Sequence, residues 1–202
     1  VVEGIVFVIS GPAGVGKTTL CDRLLTEFGG TVSRVVTATT RKPRVGETPG
    51  DDYHFMSEEE FLSKVDEGAF IEHERVHGNL YGTLKQSILS GAGGRAGNDY
   101  LLNIDVNGAF SLKKFSEEHE ALRGSVFSVF ILPRSLEQLR ARLEGRGTDD
   151  EDEIDRRLAT AVAEIEKKDQ FDLVLESGER EEDYRRLKEY YAQCSEFNQS
   201  ET

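Results

Sequence analysis

Positive charge is scarce in this chain, with 25 Lys and Arg against 38 Asp and Glu and a formal net charge of −13. A field of that sign opposes nucleic-acid backbones and anionic bilayers, which argues against both as partners. Cysteine is nearly absent. Cys21 and Cys194 stand far apart without metal-ligand spacing, a pattern that fits a reducing, cytoplasmic compartment. No apolar run approaches bilayer length. The stretch over residues 5–9 is too short to span a membrane, lacks a basic leader and reads as a first core strand. Long polar tracts are missing too. Hydrophobic residues at 37% and charged residues at 31% of 202 positions describe one soluble domain, with room for small inserted subdomains but not for two large units.

What is present begins at that strand. Ile5-Val6-Phe7-Val8-Ile9 runs into Gly11-Pro12-Ala13-Gly14-Val15-Gly16-Lys17-Thr18-Thr19, a phosphate-binding loop in its required context of strand before and helix after. Its glycines let backbone N–H groups turn inward against the positive end of the next helix, which suits a polyanion. Lys17 adds a charge for the terminal phosphates, and the Thr18 hydroxyl is a ligand for Mg²⁺. The loop helix is expected over residues 16–28, ended by Gly29-Gly30, with further buried strands at 35–37, 100–105, 126–132 and 171–175. Short apolar runs alternating with helical segments predict an α/β fold around a parallel sheet, with ligands at the strands' carboxyl ends.

Residues 34–96 break the alternation and read as an inserted subdomain. Residues 52–56 alternate as a half-exposed strand, Ser57-Glu58-Glu59-Glu60 opens a helix that stops at Gly68, and residues 70–82 carry no long buried run. The glycine-rich stretch 90–98 lacks a following Lys-Ser/Thr and reads as a surface loop. Leu136, Leu139 and Leu143 mark a short helix ending near Gly145. Thr148-x-x-Glu151 reads as a second capping box, for a helix carrying Ile154, Leu158, Ala161 and Ile165. An amphipathic helix starts at Glu179, and residues 195–202 are expected to fray.

A phosphate loop alone leaves GTPase, motor and small-molecule kinase open. The chain has no Asn-Lys pair, so the guanine-reading motif of ordinary GTPases is absent. Arg41, Lys42 and Arg44 gather three cations within four positions, and Arg142, Arg146 and Arg157 follow later. Planar guanidinium forks around a migrating phosphate supply the charge stabilisation that phosphoryl transfer needs. Asp105, at the end of an apolar strand, reads from physics alone as an acid acting on Mg²⁺ through water. His73 and His77 have a metal-like i, i+4 spacing but no third ligand.

The T-A-T-T-R-K-P-R-x-G-E segment at 37–47, D-Y-H-F at 52–55, V-H-G-N-L-Y-G-T at 76–83, I-D-V-N-G at 104–108 and R-L-E-G-R-G-T at 142–148 follow the loop in order. In these motifs the chain resembles guanylate kinase, from about residue 5 to about residue 175. The resemblance implies a P-loop three-layer α/β fold, with a parallel-sheet core (1–33, 97–133, 158–194), an inserted mixed GMP-binding subdomain (34–96) and a helical lid (134–157). It implies transfer of the ATP γ-phosphate to GMP, and to dGMP, with Mg²⁺. It places the GMP phosphate against Arg41, Arg44, Tyr53 and Tyr81, and guanine against Glu72 and Asp105 with hydroxyls from Thr37 and Thr83. Lys17 then serves the transferring phosphate, and the catalytic arginines Arg142, Arg146 and Arg157 belong to the lid that closes over ATP. Departures from the family pattern are Ala13 for Ser, Asn103 for an acid, His73 for an aromatic, Asn107 for Gln, and Glu176-Ser177 for Asn-Asp. A phosphorylated-partner binding module and a kinase for another small acceptor are the alternatives; monomer and homo-oligomer both stay open.

Overall fold

The computed structural model describes residues 4–76, 78–89, 99–145, 147 and 150–200. Among these the chain runs β1 (Val6–Ser10), α1 (Lys17–Phe28), β2 (Val32–Arg34), β3 (Thr37–Thr39), β4 (Tyr53–Phe55), α2 (Glu58–Asp66), β5 (Phe70–Val76), β6 (Asn79–Leu84), α3 (Lys85–Leu89) and β7 (Asp99–Asn103). It continues through α4 (Val106–Glu118), β8 (Val126–Leu132), α5 (Leu136–Glu144), α6 (Glu151–Ile165), β9 (Leu173–Glu176) and α7 (Arg180–Ser200).

One sheet is wholly parallel, in the order β2-β7-β1-β8-β9. Its central strand is buried on both faces, and strand periodicity splits its side chains between two layers. Ile5, Phe7 and Ile9 meet Leu24 of α1, Leu143 of α5 and Leu187 of α7. Val6 and Val8 meet Leu112 and Phe115 of α4. Each such fully buried side chain stabilises the fold by about 1.5–3 kcal/mol, so this layered core anchors everything that follows. From β1 the chain crosses to one side of the sheet and from β8 to the other. The carboxyl ends of these neighbours therefore frame the crevice where α/β folds bind ligands.

The second sheet, β4-β3-β6-β5, is mixed: β3 and β4 run parallel, while β6 is antiparallel to both neighbours. A small core of Ala38, Phe61, Phe70, Leu80 and Leu84 closes it against α2. The Phe61 and Phe70 rings stack at 4.4 Å.

Several boundaries differ from expectation. The second core strand is Val32–Arg34, and Thr37 begins the other sheet, because the backbone changes partner at Val35-Val36 within one apolar run. β7 stops at Asn103, and Asp105 caps α4 by accepting from Gly108 N at 2.8 Å. β9 starts at Leu173, because the Asp172 side chain is tied to the Ser128 N–H and hydroxyl at 2.8 and 2.7 Å. Residues 70–82, which carry no long buried run, form most of the β5–β6 hairpin. The cap of α6 is Asp150, whose side chain accepts from Glu153 N; Thr148 lies outside the described residues. α7 continues to Ser200 instead of fraying at 195, since Ser195 Oγ donates to buried Asp99 at 3.0 Å. The stretch 90–98 lies outside the described residues.

Candidate active site

At the end of β1 the loop bends through positive φ at Gly11, Gly14 and Gly16. At Gly11 the need is steric as well: a Cβ there would stand 2.6 Å from the Ile131 carbonyl oxygen of β8. Gly16 caps α1 with no side chain, so no capping oxygen occupies the first-turn N–H groups, the arrangement that receives an anion. Lys17 Nζ donates to the loop carbonyls of Gly11 at 2.5 Å and Pro12 at 3.0 Å. Thr18, at the exposed start of α1, accepts from Asn103 Nδ2 at 3.4 Å. The position where an acid is common in the family thus holds an amide beside the hydroxyl expected to ligate Mg²⁺.

Next to the loop lies a cleft of about 400 Å³ lined by Gly14, Gly16, Thr19, Arg142, Ser177 and Arg180, among others. Arg142, in the last turn of α5, reaches back and donates to Val15 O at 2.9 Å. Arg157 pairs with Glu153 one turn earlier on α6, Nε to Oε1 at 3.0 Å. Arg146 and His77 lie outside the described residues. His73 packs edge-on against Phe61 and Phe70, and among the described residues no three His, Cys, Asp or Glu cluster as a metal site.

A second cleft, of about 190 Å³, opens between the mixed sheet and the end of β7. Thr37, Tyr53, Glu72, Tyr81 and Asp105, expected on one acceptor, all line it. Thr83, Arg41 and Arg44, the other three expected there, are not among the lining groups, but Thr83 donates to Glu72 Oε1 at 2.5 Å. Burial pushes the Glu72 carboxyl up to about 7, opposed by the Thr83 hydrogen bond and helped by the Asp105 charge. Gly108 gives Glu72 its room: a Cβ there would come within 3.3 Å of the carboxyl carbon.

At the other end Arg41 lies between Tyr53, whose ring is 5.3 Å from the guanidinium carbon, and the Tyr81 hydroxyl, its hydrogen-bond partner. Glu47 grips Arg41 through two bonds of 2.8 and 2.9 Å and also accepts from the Arg44 backbone N–H at 2.7 Å. Those contacts, chiefly the Arg41 bond, hold the Glu47 carboxyl down at about 2. Arg41 gives a third donor to Lys42 O, so two of a guanidinium's roughly five N–H groups remain for Tyr81 and a ligand. Arg44 itself is exposed, and its guanidinium is not among the groups lining the cleft.

The family model for guanylate kinase matches residues 4–194. The chain belongs to the guanylate kinase family. It is 42% identical over 177 residues to the guanylate kinase of Geobacter metallireducens, covering 86% of this chain and 80% of the relative. The guanylate kinase of Nitratidesulfovibrio vulgaris is 44% identical over 189 residues, 94% and 86% of the two chains. Among solved structures, that of guanylate kinase from Anaplasma phagocytophilum superposes with a TM-score of 0.70 at 31% identity, covering 95% of this chain and 86% of that one.

Four further residues at these clefts, Glu47, Gly108, Glu74 and Glu164, are not marked by the sequence motifs as ligand contacts. Glu47 lies inside a quoted motif, and Gly108 ends another. Glu74 lines the acceptor cleft, and its signal was available, since it follows Glu72 by two on a strand and shares its face. Glu164 of α6 is largely buried, which raises its pKa, while the nearby Lys17 charge opposes the rise. Its spacing of seven from Arg157 puts both on one face of α6.

Proposed function

We propose that the chain transfers the γ-phosphate of ATP to GMP, with the 190 Å³ cleft as acceptor site and the loop of Gly11–Thr19 with the adjoining 400 Å³ cleft as donor site. The observation that carries this is the polarity of the acceptor cleft. Two carboxylates and a hydroxyl, Glu72, Asp105 and Thr37, line it with Thr83 bonded to Glu72, and so do the phenols Tyr53 and Tyr81, with Arg41 beside the Tyr53 ring. Guanine offers N1–H and N2–H₂ donors that match carboxylate acceptors. Adenine lacks them and would leave the acids unpaired, a costly outcome in a partly buried site.

Arg41 supplies the phosphate end, with the phenols of Tyr53 and Tyr81 as neutral donors and Arg44 completing the charge when its side chain turns inward. Asp105 serves guanine in this reading, while Thr18 is the protein ligand for Mg²⁺, with Asn103 holding its hydroxyl. Bound there, Mg²⁺ would neutralise charge on the β- and γ-phosphates of ATP. A GMP phosphate oxygen, already ionised, attacks the γ-phosphorus as the bond to the β-bridging oxygen breaks. GDP and ADP leave, with no general base and no covalent enzyme intermediate. Lys17 moves from its loop carbonyls to the transferring group, and Arg142 and Arg157 join Arg146 on the lid side. Residues 34–96 act as the GMP-binding subdomain and residues 134–157 as the lid that excludes water. The reaction belongs to cytoplasmic purine metabolism, and no helix among the described residues is long and apolar enough to cross a membrane.

Calorimetric titration of GMP and AMP into the protein and into Glu72→Ala tests the acceptor assignment. GMP binds the parent protein and AMP does not, and the substitution removes most of the GMP affinity. Equal GMP affinity in both proteins would refute the role given to Glu72.

A further inference from the structure

The register of the β5–β6 hairpin divides the acceptor cleft into levels. Glu72 stands opposite Thr83, and Glu74 stands opposite Tyr81. Directly opposed side chains share a face, and two residues of antiparallel strand advance about 7 Å. On the reading above, which this inference rests on, guanine lies at the Glu72–Thr83 level and the phosphate lies near Tyr81. The cation on that side, Arg41, stands towards β3 and β4, where it meets Tyr53. Glu74 stands on the opposite side, on edge strand β5, and lines the same cleft. Its surroundings are acidic on balance: Asp105 is its hydrogen-bond partner, Glu164 and Glu72 add negative charge, and Lys167 is the cation among them.

A carboxylate at that place repels the phosphate and the acceptor atoms of the base. When both acids are ionised, Asp105 offers it no donor, and the N1–H and N2–H₂ groups of guanine are already met at the Glu72 level. The donors that remain on GMP are its ribose hydroxyls, and the ribose is the part of the molecule that joins the two levels. We propose that Glu74 is a specificity-determining residue that accepts a hydrogen bond from a ribose hydroxyl of GMP and thereby favours the ribonucleotide over its deoxy analogues. Partial burial and the neighbouring Asp105 charge raise the Glu74 carboxyl to about 7, yet protonated or not it keeps an oxygen able to accept.

The test is the ratio of kcat/KM for GMP to that for dGMP and for 3′-deoxy-GMP, in the parent enzyme and in Glu74→Ala. Glu74 is exposed at the cleft mouth, so the variant keeps the fold, and its melting temperature verifies this. Any relief of repulsion at Asp105 acts equally on all three acceptors and cancels in the ratio. The parent enzyme prefers GMP to at least one deoxy analogue by about tenfold, the scale of a hydrogen bond to a charged group. Glu74→Ala brings that preference to within about twofold. An unchanged ratio in the variant, or no preference in the parent, would overturn the role of Glu74. Failure of the underlying guanine assignment would show differently, as parent turnover of AMP equal to that of GMP.

Discussion

On the proposed reading Lys17 and Arg41 carry cations at opposite ends of the reaction, and their substitutions separate accordingly. Lys17→Ala abolishes turnover while calorimetry still detects GMP binding, because Lys17 lies on the loop and outside the acceptor cleft. Arg41→Ala raises the GMP dissociation constant by about 10- to 100-fold, as loss of a charged hydrogen-bonding group should. Equal GMP affinity in the two variants would contradict the division. Glu72 adds a pH dependence. Its folded carboxyl sits near 7 against an ordinary 4.5, and in the proposed site guanine needs the ionised acceptor. Affinity therefore falls as pH drops below about 7, approaching tenfold per unit. Guanosine is the ligand to titrate, because it carries no phosphate ionising in that range. In the ligand-free protein the sign reverses: the folded state holds a proton that the unfolded chain releases, so this group costs stability as pH rises from 4.5 to 7.

At the scale of elements, the loop after β1 depends on glycine for a reason that differs from place to place. Gly11 combines φ of +131° with the Ile131 carbonyl 2.6 Å from any Cβ, whereas nothing lies within 4 Å of a Cβ at Gly30. Gly11→Ala should cost at least about 2 kcal/mol and abolish turnover, and Gly30→Ala should stay within about 0.5 kcal/mol, both read by denaturant unfolding. Elements bounded by clear punctuation were legible in the sequence. β8 falls at 126–132 as expected, between Gly124 and Pro133, and Ser57 caps α2 through Glu60 N at 3.1 Å. Elements that change partner were not. Nothing in Val35-Val36 announces that the chain leaves one sheet for another, and nothing in Phe171 announces that Asp172 is held by Ser128. The β5–β6 hairpin was only partly legible, as strand around His73, because its outer strand is half exposed and no continuous apolar run marks it.

For the whole molecule, the parallel sheet and the mixed subdomain were foreseeable from the alternation of runs and its interruption. The clustering of Thr37, Tyr53, Glu72, Tyr81 and Asp105 in one cleft was legible only through motif order, because their spacing along the chain reaches 68 positions from first to last. The tie that closes the molecule was not visible at all. Asp99, nearly buried, accepts from Ile5 N at 2.9 Å, Tyr191 Oη at 2.6 Å and Ser195 Oγ at 3.0 Å, joining β7, the approach to β1 and α7. Asp99→Ala strands those donors and should cost about 3 kcal/mol. For a chain of this length that lowers the melting temperature by about 6–12 °C in calorimetry, without changing the preference among acceptors. The central claim is the acceptor itself. A coupled ADP-release assay with Mg-ATP and a panel of GMP, AMP, CMP and UMP tests it most directly. The account predicts rapid turnover with GMP and near-background rates with the other three; preference for AMP or a pyrimidine, or no turnover with any of the four, would contradict it.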